Sequence, residues 1–186
     1  MLPSLIMNAL IVLFVIGSVY WDFRKADPHR AVFRFFTTLS NLFCAAAALI
    51  MVTVGENPPL WALLLKYIGT AAVTVTMLTV CCFLLPVTKN WKAMFGGAEL
   101  FLHLICPLLA IVSFLLEKTA MPAWIIPLGV LPVILYGFLY LYKVLRAPEE
   151  RRWEDFYYLN RDGKWRLSFV LMVAAATVIS FVLWIV

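Results

Sequence analysis

The sequence predicts an all-α integral membrane protein, a compact bundle of six transmembrane helices, and three observations predict it. Hydrophobic residues make up 65% and charged residues 13% of the 186, with a mean hydropathy of +0.97, far from the roughly half apolar, quarter charged mix of soluble domains. The apolar residues fall in six runs, each long enough to cross a hydrocarbon core of roughly 30 Å as a helix rising about 1.5 Å per residue. No run of about ten residues alternates apolar and polar side chains as a membrane β-barrel strand must.

The runs cover residues 3–20, 35–54, 60–85, 99–116, 123–143 and 166–186. The first has no basic residue before it and no small-x-small cleavage site after it, so it reads as a permanent helix and not a signal peptide. Phe33, Phe35 and Phe36 around Arg34 form an interfacial anchor where the second begins. Residues 55–59 are too short to do more than turn the chain, which makes the second and third helices antiparallel neighbours, and 117–122 do the same for the fourth and fifth. Pro86, Pro107, Pro127 and Pro132 fall in or near spans, where each removes a backbone donor and bends the helix. In the one sizeable connection, 143–166, Ala147-Pro148 stops a helix and Trp153-Glu154-Asp155-Phe156-Tyr157-Tyr158 mixes acids with aromatics. That segment is expected at the membrane interface, roofing a cavity. No repeat or composition shift marks a second domain, so 1–186 reads as one.

The basic balance, pI about 9.1, does not point to nucleic acid, because the cations sort by loop. Arg24, Lys25, Arg30 and Arg34 follow the first helix, Lys89 and Lys92 the third, and Lys143, Arg146, Arg151, Arg152, Arg161, Lys164 and Arg166 the fifth. These are 13 of the 15; Lys118 and Lys66 fall on the other side, Lys66 near a helix end from which it is expected to snorkel. The bias places the 13 in the cytoplasm and both termini on the non-cytoplasmic side, with membrane lipids as partners. Cys44, Cys81, Cys82 and Cys106 lie inside spans and form no metal pattern; no metal or cofactor is expected.

Two polar residues inside spans carry the functional reading. Thr37 lies about one turn into the second helix, and His103, after Gly96-Gly97, about one turn into the fourth, so parallel helices put a hydroxyl and an imidazole at one depth. Arg34, Thr37, Thr38 and Asn41 share a helix face, as do Glu99 and His103. A threonine hydroxyl becomes a nucleophile when a base takes its proton, and neutral histidine is the usual base. Asn41 is the expected oxyanion donor, Thr38, Ser40 and Glu99 supporting neighbours, and Arg34 a holder of a carboxylate or phosphate headgroup. Each has a plainer reading: a membrane threonine bonds its own preceding carbonyl, Asn41 glues helices, and Glu99 faces water. Thr70, Thr74, Thr76 and Thr79 read as packing residues, and Tyr136 and Tyr140 as an inward pair or an interfacial belt.

The run Phe33-Arg34-Phe35-Phe36-Thr37 resembles the start of the second helix in the androgen-induced-gene family of membrane threonine hydrolases, and His103 followed by Pro107 is similar to its histidine-then-proline motif. The longer run to Ser40-Asn41, with Leu102-His103 to Pro107-Leu108-Leu109, is closer still to the prokaryotic, Pr6Pr-like branch. The resemblance implies about six membrane helices, Thr37 as nucleophile, His103 as base and hydrolysis of fatty acid esters of hydroxy fatty acids through an acyl-threonine without metal. The histidine stands one residue nearer its proline than in the animal proteins. The alternatives are a small carrier or channel lined by His103, Glu99 and Arg34, against which no inverted repeat is found, and a non-catalytic lipid-binding membrane protein. A haem carrier is disfavoured, since its second ligand would be His29 in a charged loop.

Overall fold

The computed structural model describes residues 2–26, 29–118 and 120–186; the side chains of His29 and Arg30, weighed above as haem ligand and loop cation, lie outside the described residues. Among the described residues six helices are long and apolar enough to cross a membrane: α1 (Leu2–Lys25), α2 (Phe36–Val54), α3 (Leu60–Thr88), α5 (Ala98–Glu117), α6 (Ala123–Leu145) and α7 (Trp165–Ile185). A short α4 (Trp91–Phe95) stands between α3 and α5, and no strand occurs among the described residues. α1 runs five residues past the last apolar position expected of it. Its amphipathic end continues the helix by placing Lys25 Nζ over the Trp21 ring at 4.4 Å and the Arg24 guanidinium over Tyr20 at 6.0 Å, both i,i+4 pairs.

Pro86 and Pro107 act alike. Each sits just after a π turn, Val80–Leu84 in α3 and Phe101–Ile105 in α5, in which the N–H of Leu85 returns to Val80 O and that of Cys106 to Phe101 O. A proline cannot donate and its ring crowds the carbonyl four residues back, and the wider turn relieves that crowding. At Pro86 and Pro107 the expected disturbance takes the form of one extra residue in the helix, whereas Pro127 sits in the first turn of its helix and Pro132 lies inside it without a π turn.

The loops and both chain ends divide the bundle into two ends. At one lie the N-terminal turns of α1 and the C-terminal turn of α7. There Lys118 Nζ donates to Trp184 O at 2.6 Å and Trp184 Nε1 to Met121 O at 2.8 Å. At the other lie the basic loops. α6 and α7 meet closely at Gly129, where a Cβ would come within 2.4 Å of Ser180 Oγ. Tyr67 of α3 locks that meeting by donating to Ser180 O at 2.8 Å, and Ser180 Oγ donates to Ile126 O at 2.7 Å.

Lys66 does not snorkel. It is 0% exposed, and its ammonium donates to Asn8 Oδ1 of α1 and, at 2.8 Å, to Ser113 Oγ of α5. The Asn8 amide in turn donates to Glu117 Oε1. A buried ammonium needs acceptors in place of water, and α1 and α5 bring them to α3.

Candidate active site

The second helix starts later than its sequence suggests. Arg34 ends a 3₁₀ turn, Phe35 is extended at φ −89°, ψ 135°, and α2 begins at Phe36. Thr37 is therefore in the first helical turn, where backbone N–H groups have no partner inside the helix. Arg34 leaves the face it was expected to share with Thr37. Its guanidinium lies over the rings of Phe35 and Phe156, at 5.2 and 5.8 Å, and does not line the site cavity.

Thr37 and His103 meet. Thr37 Oγ1 stands 3.5 Å from His103 Nε2, the outer edge of hydrogen-bond distance, with Thr37 8% and His103 7% exposed; such contacts are often long before substrate arrives. The other ring nitrogen, Nδ1, lies 2.6 Å from Met94 O. A carbonyl only accepts, so Nδ1 carries the proton of the neutral ring and Nε2 presents its lone pair toward Thr37. Met94 belongs to α4, which Asn90 caps by accepting from Ala93 N–H at 3.1 Å. Gly97 turns the chain back at φ +60°, in the left-handed region that favours glycine, and so brings α4 over the imidazole. Glu99 Oε2 is 3.2 Å from the same Nε2. It faces the lone-pair nitrogen, unlike the acid of a serine protease triad, and would stabilise an imidazolium after proton uptake.

Asn41 has a different task from the one expected. Its amide donates to Thr37 O at 2.8 Å and to Leu102 O at 3.0 Å, so both amide hydrogens are committed and neither is left for an oxyanion. The π turn explains the second bond: the Cys106 N–H that an α-helix would give to Leu102 O goes to Phe101 O, and the next donor would be Pro107, which has none. Asn41 satisfies this orphan carbonyl and ties the Thr37 turn to the His103 turn. Ser40 Oγ lies 3.2 Å from Thr37 O and 3.0 Å from Thr76 Oγ1, joining α2 to α3. Thr38 is buried beside Thr37, and the contact with the imidazole is made by Thr37.

On its other side Thr37 borders a cavity of about 610 Å³, a volume within the usual range of small-molecule sites. Its wall is mostly aliphatic and aromatic, from α3, α6 and α7. Leu78, Leu171 and Val178 line it while being 39%, 60% and 62% exposed, so it opens between α3 and α7 onto the apolar outer surface. The 146–164 connection roofs it, as its aromatic content suggested, through Tyr157 and Leu159.

Tyr157 was absent from the expected set. Its phenol oxygen accepts the Phe36 N–H at 3.0 Å, and it lines the cavity beside Thr37 and Tyr136. Tyr136 and Tyr140 point inward: Tyr136 donates to Arg34 O at 2.7 Å and Tyr140 to Asp155 Oδ1 at 2.9 Å. Among the described residues no group of three His, Cys, Asp or Glu side chains gathers as metal ligands would.

Comparisons with protein-family models, curated proteins and solved structures found no match.

Proposed function

We propose that this chain is an intramembrane hydrolase of lipid esters, with fatty acid esters as the substrate class, in which Thr37 is the nucleophile and His103 the base. One observation carries the reading: the Thr37 hydroxyl has an imidazole lone pair on one side, at 3.5 Å, and a large apolar cavity on the other. The likeness of both motifs to the membrane threonine hydrolases agrees with it. An ester enters between α3 and α7 with its acyl chain in the cavity. As Thr37 Oγ bonds to the acyl carbon, its proton passes to Nε2 and the carbonyl electron pair moves to oxygen. Collapse breaks the bond to the alcohol oxygen, which takes the proton from Nε2, and water then releases the acid by the same steps in reverse.

By the positive-inside rule the basic end with this site faces the cytoplasm and both termini lie outside. The prokaryotic motif likeness favours the cytoplasmic membrane of a prokaryote.

The test uses purified protein in proteoliposomes with a 4-methylumbelliferyl long-chain ester. Thr37→Ala or His103→Ala should lower turnover by about 10²-fold or more and abolish labelling by a fluorophosphonate probe. Turnover kept by either variant would overturn the assignment. A carrier is the second reading, favoured by Lys66, since ionisable groups buried in a membrane commonly serve ion or substrate paths; substrate-dependent flux into vesicles, lost in Lys66→Met, would establish it.

A further inference from the structure

We propose that Tyr157 is the oxyanion donor of this site, its O–H donating to the carbonyl oxygen of the ester that Thr37 attacks. The proposal rests on the reading of Thr37 as nucleophile and goes beyond it to a residue from the roofing loop.

Apart from the Thr37 and Thr38 N–H groups of the first helical turn, most donors at the Thr37 end of the cavity are already committed. Asn41 has spent both amide hydrogens on Thr37 O and Leu102 O. The Phe36 N–H is given to the Tyr157 oxygen, the Tyr136 proton to Arg34 O and the Tyr140 proton to Asp155. Thr76, deeper in the cavity, is engaged with Ser40 Oγ at 3.0 Å and Ala72 O at 3.3 Å. Tyr157 lines the cavity beside Thr37, and among the described residues no backbone carbonyl accepts its proton. A hydroxyl rotor turns freely, so that proton can swing from a neighbouring hydroxyl to an incoming carbonyl.

The phenol is also held in place before substrate arrives, as electrostatic stabilisation requires. Tyr157 N–H donates to Tyr140 Oη at 3.0 Å, and Asp155 ties that tyrosine while accepting the N–H groups of Leu159 and Asn160 at 2.9 and 2.8 Å. The ring packs 5.3 Å from Tyr140 and 4.7 Å from Phe156. The Phe36 N–H at the start of α2 polarises the O–H by withdrawing charge from its oxygen, and so strengthens it as a donor. Burial pushes the phenol up from its ordinary range, with the Phe36 N–H pulling the other way, so it keeps its proton at neutral pH.

In the step itself, the electron pair displaced onto the carbonyl oxygen is met by the Tyr157 O–H, which stays bonded to the phenol. The proton taken by His103 comes from Thr37 alone. When the carbonyl re-forms, the alcohol departs with that proton and Tyr157 is unchanged.

The experiment measures hydrolysis of 4-methylumbelliferyl palmitate in proteoliposomes for wild type, Tyr157→Phe and Thr37→Ala, with a thermal melt of each. The expected result is a fall in kcat of about 10²- to 10³-fold for Tyr157→Phe with KM changed by less than about threefold. 3,5-Difluorotyrosine placed at 157 keeps the shape and makes the phenol more acidic. It should move the basic limb of the kcat profile to lower pH, and it decides the matter if Tyr157→Phe does not fold. A wild-type kcat in folded Tyr157→Phe, or a basic limb that does not move, overturns the role of Tyr157 while an inactive Thr37→Ala leaves the nucleophile standing. An active Thr37→Ala overturns both.

Discussion

Replacing Asn8 by alanine should destabilise the bundle far more than replacing the lysine it holds. Asn8 is fully buried, accepts from the Lys66 ammonium through Oδ1 and donates to Glu117 through its amide. Asn8→Ala deletes both bonds and, among the described residues, leaves the ammonium hydrogen-bonded to Ser113 Oγ, at 2.8 Å. Each hydrogen bond to a charged group is worth about 1.5 to 3 kcal/mol, and stranding a buried charge costs about 3 to 5 kcal/mol, so a loss of about 3 to 5 kcal/mol is expected. At about 2 to 4 °C per kcal/mol for a chain of this size, the midpoint falls by about 6 to 20 °C. Lys66→Met keeps the aliphatic volume and removes the charge that needed solvating, and should cost less than about 2 kcal/mol. Thermal unfolding of the three proteins in one detergent, followed by a thiol-reactive dye on buried Cys44 and Cys106, measures the order. Lys66→Met proving as damaging as Asn8→Ala would refute the account of a stranded charge.

Three further outcomes follow from the site. Asn41→Ala leaves Leu102 O without a donor and should cost about 2 to 4 kcal/mol, from two lost bonds and an orphan carbonyl; ester hydrolysis should fall with little change in KM. Gly97→Ala forces a side chain into φ +60°, a strain of about 1 kcal/mol. It should loosen α4 from the imidazole, read as a shift of the His103 Nδ1 resonance with the bundle's melting point nearly unchanged. Asp155→Ala removes the acceptor shared by Tyr140, Leu159 and Asn160, and limited proteolysis should then cut the 153–160 segment while the helices stay protected.

The helices were legible because each is a long apolar run, and their ends were misjudged where amphipathic turns carry α1 to Lys25 and α3 to Thr88. Equal depth for Thr37 and His103 follows from helix direction and rise, which one dimension contains. That their faces meet depends on helical phase, and the π turn of α5 resets that phase. Pro107 signals a disturbance there without saying that it takes the form of an added residue. Lys66 looked peripheral because it is near the start of α3; its partners Asn8 and Ser113 are 58 and 47 residues away. Tyr157 is 121 residues from Phe36 and, in a loop of aromatics, carries the same signature as an interfacial anchor. Arg34 moved off the Thr37 face because the chain stays extended at Phe35.

A π turn has an indel's arithmetic. Each of the turns Val80–Leu84 and Phe101–Ile105 carries one residue more than an α-helix would, and one residue is worth about 100° of rotation. Deleting a residue elsewhere in a transmembrane helix swings everything beyond it away from its neighbours, but deleting Leu104 would convert the turn to ordinary helix and keep residues from Cys106 onward in register. The deletion would leave the rest of α5 packed while rotating His103 relative to that core. In a lineage of such chains, the length of this turn is a place where geometry at the site can change in one step without rebuilding the bundle.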